Sequence, residues 1–144
     1  MKNVFFLTLA VLMTVLFACN MASSDDYDNL AVDMCACINK SSSNISPAMK
    51  TAIINSNGDQ EKMMVGIQAT MSENPEQAMT DATALESMGK ETEKCISSLE
   101  KKYDHIYTAD KEDVVQQKLL KALEKAADCK FTYAMLKLGI NSKE

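Results

Sequence analysis

Arginine and tryptophan are absent from this chain of 144 residues. Its basic residues are therefore all lysines, and 20 acidic residues against 15 basic ones give a net charge of -5. Nucleic-acid binding favours a positive surface and the planar guanidinium, which contacts phosphates and base edges bidentately. Aromatic stacking surfaces are also scarce, because three of the four phenylalanines lie within the first seventeen residues. We expect no nucleic-acid partner.

Helix breakers and strand patterns are also rare. The chain has only two prolines and four glycines, and alanine, leucine, methionine, lysine and glutamate are abundant. No segment alternates apolar and polar residues for more than a few positions, whereas apolar spacings of three and four recur throughout. A chain of this length is enough for one domain. The fold class that we expect is all-α, a bundle of four to five helices.

One hydrophobic run opens the chain. After Lys2, residues 4 to 18 are apolar except for Thr8 and Thr14. As a helix this run would span about 22 Å, which is short of the roughly 30 Å hydrocarbon core of a bilayer. It lacks the amphipathic pattern of a core helix, so a signal peptide is the better interpretation.

The run ends with Leu16-Phe17-Ala18-Cys19, which resembles the lipobox of bacterial lipoproteins, although Phe17 is bulkier than the usual residue there. The resemblance implies cleavage before Cys19, acylation of its thiol and amine, and a bilayer as partner, because two or three acyl chains hold stably. We therefore divide the chain into a signal peptide (1–18), a lipidated tether (19–24) and a helical domain (25–140).

An acidic cluster at residues 25 to 28 follows the tether. It resembles the surface-export signal of some Gram-negative outer-membrane lipoproteins. It also suits a helix start, with Ser24 or Asp25 as the cap and acids near the positive helix end. We expect a lipid-anchored protein of the outer membrane, with the periplasmic and the outer face both left open.

Helix boundaries follow from caps and breakers. The stripe of Tyr27, Leu30, Met34 and Ile38 predicts a first helix from residue 25 to about 42. Further starts are predicted at Ser46-Pro47, Asp59 and Asn74-Pro75, and a stop is predicted at Asn57-Gly58. The helix after Pro75 is predicted to run nearly thirty residues, with Gly89 weakening its middle. Residues 103 to 107 are predicted to form a turn, and one last helix to run from Thr108 or Asp110 to Gly139.

Four cysteines remain once lipid takes Cys19: Cys35, Cys37, Cys95 and Cys129. In an exported protein they should oxidise. Cys35 and Cys37 fall on opposite flanks of the first helix, so they are not expected to bond to each other. Two pairings remain, either Cys35–Cys95 with Cys37–Cys129 or Cys35–Cys129 with Cys37–Cys95. The alternatives are a four-thiolate metal site and a redox-active Cys-x-Cys pair.

The other candidate residues do not match a known catalytic or metal-binding pattern. His105 is the only histidine, and it adjoins Asp104 without the nucleophile elbow of a hydrolase, so we interpret it as a surface or turn residue. Residues 55 to 59 fail the calcium-loop pattern and are interpreted as a turn. The nine methionines after Cys19 are interpreted as core filler, with Cu(I) binding or an apolar groove as alternatives.

These observations favour a non-enzymatic binding or structural module that is anchored in the cell envelope and contacts a protein partner there or outside the cell. No catalytic residue, cofactor or metal ligand is expected. The alternative is a metal-handling protein that binds zinc or copper through cysteine thiolates or methionine side chains.

Overall fold

The structure, a computed structural model, describes residues 22–142. The predicted signal peptide and Cys19 lie outside these residues. Within them every regular element is helical. The elements are α1 (Ser24–Ser41), α2 (Pro47–Ser56), α3 (Gln60–Glu73), α4 (Pro75–Lys102), α5 (Asp104–Ala109), α6 (Glu112–Lys125), a 3-10 turn (Ala127–Cys129) and α7 (Lys130–Asn141). The all-α prediction is confirmed, but the seven α-helices exceed the predicted four to five.

The N-cap of the first helix lies one residue before the earlier of the two caps proposed for it. Ser23 is the N-cap, in place of Ser24 or Asp25. Its hydroxyl accepts a hydrogen bond from the Asp26 amide at 3.2 Å, and the Asp26 carboxylate accepts one from the Ser23 amide at 2.9 Å. This reciprocal pair is a capping box, and it satisfies two amides that a helix start otherwise leaves unpaired.

Three of the other predicted helix starts are confirmed, but the start at Thr108 or Asp110 is wrong, because Thr108 lies within α5 and α6 begins at Glu112 after its N-cap Lys111. Ser46 caps α2, Asp59 caps α3 and Asn74 caps α4, and each side chain accepts a hydrogen bond from the amide three residues later, at 3.0 to 3.3 Å. Between α2 and α3, Asn57 and Gly58 have φ values of 49° and 80°. These left-handed conformations make the predicted helix–helix turn, and Gly58 adopts its own without a steric cost.

The final third of the chain differs most from expectation. Residues 103 to 107 do not form an open turn, because only Tyr103 is non-helical before α5. The predicted last helix is broken at Ala126, which is extended at ψ 108°, and the 3-10 turn follows it. Gly139 does not end α7, which continues to Asn141.

The helices on either side of the break at Ala126 bury different faces. Helix α6 buries Val115, Leu119, Ala122 and Leu123, and α7 buries Phe131, Thr132 and Ala134. Neither glycine nor proline is present at the break, and alanine is the strongest helix former. Packing therefore overrides local propensity here, and the break places Cys129 against α1.

Helix α1 is the centre of the fold and contacts α4, α6, α7 and the 3-10 turn. Six of its residues are buried, including the predicted stripe. Helices α2 and α3 pair with each other, and α2 also packs on α7. The largest fully buried side chains are Leu30, Ile53, Ile106, Leu123, Thr132, Asp81, Ser42 and Ser56.

Helices α1 and α4 run antiparallel. Asp33 on α1 contacts Lys102 and Tyr103, whereas Ser41 contacts Thr92, ten residues earlier along α4. The first half of α4 therefore extends past the end of α1. We call the end at Ser24 and Tyr103 the near end, and the end at Asn74 the far end.

Candidate functional site

The two disulfides link α1 to the rest of the bundle on both of its flanks. Cys35 pairs with Cys129, with Cα atoms 5.4 Å apart, and Cys37 pairs with Cys95, with Cα atoms 6.2 Å apart. Both separations lie in the ordinary range for disulfides. The structure thus selects one of the two pairings that the sequence left open. Because neither bond joins Cys35 to Cys37, α1 remains helical through both positions.

The Cys35–Cys129 disulfide is part of the core. Cys35 is 5% exposed and Cys129 is 4% exposed. The Asn39 side-chain amide donates to the Cys35 sulfur at 3.5 Å and to the Asp128 carbonyl at 3.5 Å. This amide bridges α1 to the 3-10 turn beside the bond.

The Cys37–Cys95 disulfide reaches the surface instead. Both cysteines are half-buried, and both line a surface cavity of about 570 Å³. Lys40, Lys94 and Glu91 also line this cavity. The disulfide therefore lies in a solvent-accessible cavity that two lysine side chains also line.

Two tyrosine–aspartate–lysine groups bind α1 to its neighbours towards the near end. The Tyr103 hydroxyl and the Lys102 ammonium both donate to Asp33, at 2.7 and 2.6 Å. These two bonds, the lysine's first, lower the pKa of Asp33. Burial and the bond to Asp33 raise the pKa of Tyr103.

The second group repeats the arrangement. The Tyr27 hydroxyl and the Lys118 ammonium donate to Asp110, both at 2.7 Å. The bond from Lys118, followed by the bond from Tyr27, lowers the pKa of Asp110. Burial, with the bond to Asp110 second, raises the pKa of Tyr27. Both groups keep a carboxylate ionised and a phenol protonated, which suits a structural link.

Asp81 is the most deeply buried acid that the structure describes, with no exposed surface. Its carboxylate accepts hydrogen bonds from the Ser46 amide at 2.7 Å, the Ser46 hydroxyl at 2.6 Å and the Gln77 side chain at 3.4 Å. A buried carboxylate is tolerated when its oxygens are satisfied in this way. Asp81 holds the start of α2 against α4, and no local sequence signal distinguished it from the other acids.

His105 is exposed on α5, as interpreted from the sequence. Its Nε2 lies 3.5 Å from Asp26, and its ring lies 6.3 Å from that of Tyr103. The pKa of Asp26 is lowered mainly by its two hydrogen bonds with Ser23 and only in smaller part by His105. These contacts tie α5 to the start of α1.

A smaller cavity of about 250 Å³ lies at the near end. Ala22, which precedes α1, and Tyr27 and Asp28 of α1 line one side of it. Three lysines of α6 also line it: Lys118, Lys121 and Lys125. The three lysines share one face of α6, because they are spaced by three and four residues. Lys118 is engaged with Asp110 at 2.7 Å and lies over the Tyr27 ring at 4.9 Å.

Large apolar side chains are exposed on α3 and the first turn of α4. Helix α3 has no buried residue in its fourteen positions. Met64, Val65 and Met71 are about half exposed or more, and Met79 is 76% exposed. We call these four residues the α3–α4 apolar surface. The methionines predicted to fill the core fall into two groups. Met34, Met49 and Met88 are buried, whereas Met64, Met71 and Met79 are exposed.

Metal ligation is restricted by the disulfides. The four cysteines are paired, so a four-thiolate site would require reduction of both bonds. Within residues 22–142 no group of three or more histidine, cysteine, aspartate or glutamate side chains is placed to hold a metal ion. No helix of that part of the chain is long and apolar enough to cross a bilayer.

No protein-family model, no curated protein and no solved structure matches this chain.

Proposed function

We propose that this protein is an outer-membrane lipoprotein, anchored by acyl chains on Cys19, that acts as a non-enzymatic binding or structural module. Its partner is a protein of the envelope or of the cell exterior, which contacts the α3–α4 apolar surface through an apolar helix face. The observation that carries the proposal is α3 itself. This helix of fourteen residues buries none of them and exposes Met64, Val65 and Met71.

The position of this surface supports the proposal. Met79 lies twenty-three residues before Lys102 on one continuous helix, which is about 35 Å along its axis. Lys102 contacts Asp33, the tenth residue of α1, and α1 runs on from that contact to Ser24 at the near end, where the described chain begins. Ala22 follows Cys19 by three positions, a reach of at most about 11 Å. An anchor at Cys19 would thus hold the near end at the bilayer and present the apolar surface away from it.

The chemistry of the surface indicates the partner. Methionine side chains are flexible and polarisable, so they adapt to apolar side chains of different shapes. Apolar residues at helical spacing are one side of a helix-in-groove interface. We infer that these exposed side chains form one contiguous apolar patch, and such a patch is typical of an interaction site.

The anchor is tested separately from the partner. We expect Cys19→Ser to abolish acylation and to move the protein from the membrane fraction to the soluble fraction. Mass spectrometry of the N-terminal peptide reads the acyl chains directly. An unmodified Cys19 in protein taken from membranes would contradict the anchor, whatever the partner.

The partner is tested by cross-linking in intact cells. We expect the double variant Val65→Ser and Met79→Ser to lose a specific cross-linked protein that the wild type captures. Val32 on α1 is the matched control, because it is also an exposed valine, at 61%. Retention of the same partner by the double variant, or its loss in Val32→Ser, would remove the α3–α4 apolar surface from the proposal.

Two results would favour other functions. Turnover of a substrate that disappears in His105→Ala would indicate an enzyme. Copper at one equivalent, lost when Met64, Met71 and Met79 are changed to leucine, would indicate the metal-handling alternative. Elemental analysis of protein purified from the envelope provides the second measurement.

A further inference from the structure

The two disulfides differ in their exposure to solvent, a difference that the sequence did not indicate. Cys35 and Cys129 are buried in the core, at 5% and 4% exposure. Cys37 and Cys95 are half-buried and open onto a surface cavity of about 570 Å³. A thiolate that attacks a disulfide must reach one of its sulfur atoms, so access alone separates the two bonds.

The cavity also carries the charges that favour exchange. Lys40 lies three residues after Cys37 on α1, so both side chains share a face of that helix. Lys94 precedes Cys95 on α4, and both lysines line the cavity with the bond. Glu91 is the one acid among the lining residues, so the lysines outnumber it. Neighbouring cations stabilise a thiolate, and a stabilised thiolate leaves faster.

Neither Lys40 nor Lys94 forms an ion pair with another described residue. The ion pairs of residues 22–142 join other lysines, namely Lys62, Lys90, Lys102 and Lys118. Lys40 and Lys94 have no acidic side chain within 4.0 Å among the described residues, so their charge is available to a sulfur in the cavity.

We propose that Cys37–Cys95 is a thiol–disulfide exchange site, which an external dithiol of the envelope reduces and the disulfide form of that dithiol re-oxidises, while Cys35–Cys129 remains a permanent structural bond. The inference assumes export of the chain, as in the proposed function, but it is independent of the α3–α4 apolar surface and of its partner.

The exchange proceeds in two balanced steps. A thiolate of the external dithiol attacks one cavity sulfur and forms a mixed disulfide, while the other sulfur departs as a thiolate beside Lys40 and Lys94. The second thiol of the dithiol, once deprotonated, attacks the mixed disulfide and releases the remaining cysteine. The dithiol is thereby oxidised to a disulfide by two electrons, and Cys37 and Cys95 are reduced and take up its two protons.

Reduction of Cys37–Cys95 would leave α1 and α4 joined to the rest of the bundle by other contacts. Asp81 still holds α4 to the start of α2, and Tyr103 still donates to Asp33. The buried Cys35–Cys129 bond continues to join α1 to the 3-10 turn. The reaction would therefore change the link between α1 and α4 without unfolding the bundle.

The experiment follows each cysteine during reduction of the full mature protein in detergent micelles. Dithiothreitol is the probe, free thiols are alkylated at intervals, and peptide mass spectrometry reads each position. We expect Cys37 and Cys95 to be labelled at least about tenfold faster than Cys35 and Cys129. Reduction of both bonds at one rate, or of the buried bond first, would overturn the proposal.

Variants test the lysines. We expect the double variant Lys40→Met and Lys94→Met to slow reduction of Cys37–Cys95 by about threefold to tenfold, because the departing thiolate loses its cations. Lys101→Met, another exposed lysine of α4, is the matched control and should leave the rate unchanged. An unchanged rate in the double variant, with circular dichroism like that of the wild type, would refute the role of the cavity.

The same peptide map tests the lipid anchor on Cys19 independently of the exchange site. A Cys19 thiol that carries no lipid would be alkylated before any reductant is added. That result would contradict the lipoprotein proposal, while the relative rates of the two disulfides would still decide the exchange site.

Discussion

Hydrogen bonds to buried polar atoms define this bundle at the scale of single residues. Asp81 receives three donors, and the Ser56 hydroxyl donates to the Ile53 carbonyl at 2.7 Å. Among the described residues only the Thr132 hydroxyl is buried without a partner. An acid or hydroxyl in the sequence carries no mark of these roles, because burial is decided by which helices meet. The sequence consequently did not predict Asp81, although it predicted Ser46, its partner, as a cap.

Glycine substitutions give a prediction at this scale. Gly89 is exposed within α4, and a Cβ there would meet nothing within 4 Å. We expect Gly89→Ala to raise the free energy of unfolding by about 0.5–1 kcal/mol, because alanine has less freedom to lose. Gly58→Ala should lower it instead, since φ is +80° and the new Cβ would collide with Lys137. Urea unfolding of both variants checks the signs, and a loss of stability in Gly89→Ala would contradict the account of α4.

At the scale of elements, the helix starts that have a side-chain cap were predictable, whereas the start of α6 and the break at Ala126 were not. Ser46, Asp59 and Asn74 act through bonds to amides three residues away, so a short stretch of sequence contains the whole cause. Nothing local marks the break at Ala126. It arises because α6 packs on α1 while α7 packs on α2 as well, which one straight helix does not satisfy.

The tyrosine–aspartate–lysine groups give a pH prediction for the near end. The pKa values of Asp33 and Asp110 are lowered in the folded state, so their contribution to stability is present above the unfolded pKa and is lost as the pH falls through the folded one. We expect the double variant Asp33→Asn and Asp110→Asn to be less stable than wild type near about pH 7 and to converge with it near about pH 2.

Urea unfolding across that range provides the measurement. Glu93→Gln, an exposed change on α4, is the control and should follow the wild-type curve. A stability difference between the double variant and the wild type that stays constant with pH would show that the two carboxylates do not act through their ionisation.

At the scale of the whole molecule, the disulfides enclose one loop within the other. Cys35–Cys129 spans 94 residues, and Cys37–Cys95 lies inside it and spans 58. In the chain-entropy model each bond contributes about 4 to 5 kcal/mol when it is the only cross-link, and less when the other bond is also present. We expect the double variant Cys35→Ala and Cys129→Ala to lose more stability than Cys37→Ala and Cys95→Ala, because it also leaves a void in the core.

Because the loops are nested, each single removal leaves the other bond in place to constrain the unfolded chain, so removal of both bonds should cost at least as much as the two single losses added together. Urea unfolding of the three variants measures each loss under the same conditions. Equal losses for the two bonds would contradict the different environments of Cys35–Cys129 and Cys37–Cys95, and with them the basis of the exchange site.

The sequence by itself determined that the domain is helical, where most helices begin, and that Cys35 and Cys37 face opposite flanks of α1. These properties depend on spacing and capping over a few residues, which is why they can be read along the chain. Its lipobox-like segment, which lies outside the described residues, remains the basis for the proposed anchor. Only the tertiary structure decided the pairing of the cysteines, the break at Ala126 and the exposure of the α3–α4 apolar surface. Each depends on which helices pack together, and that choice is made by contacts between residues far apart in the chain.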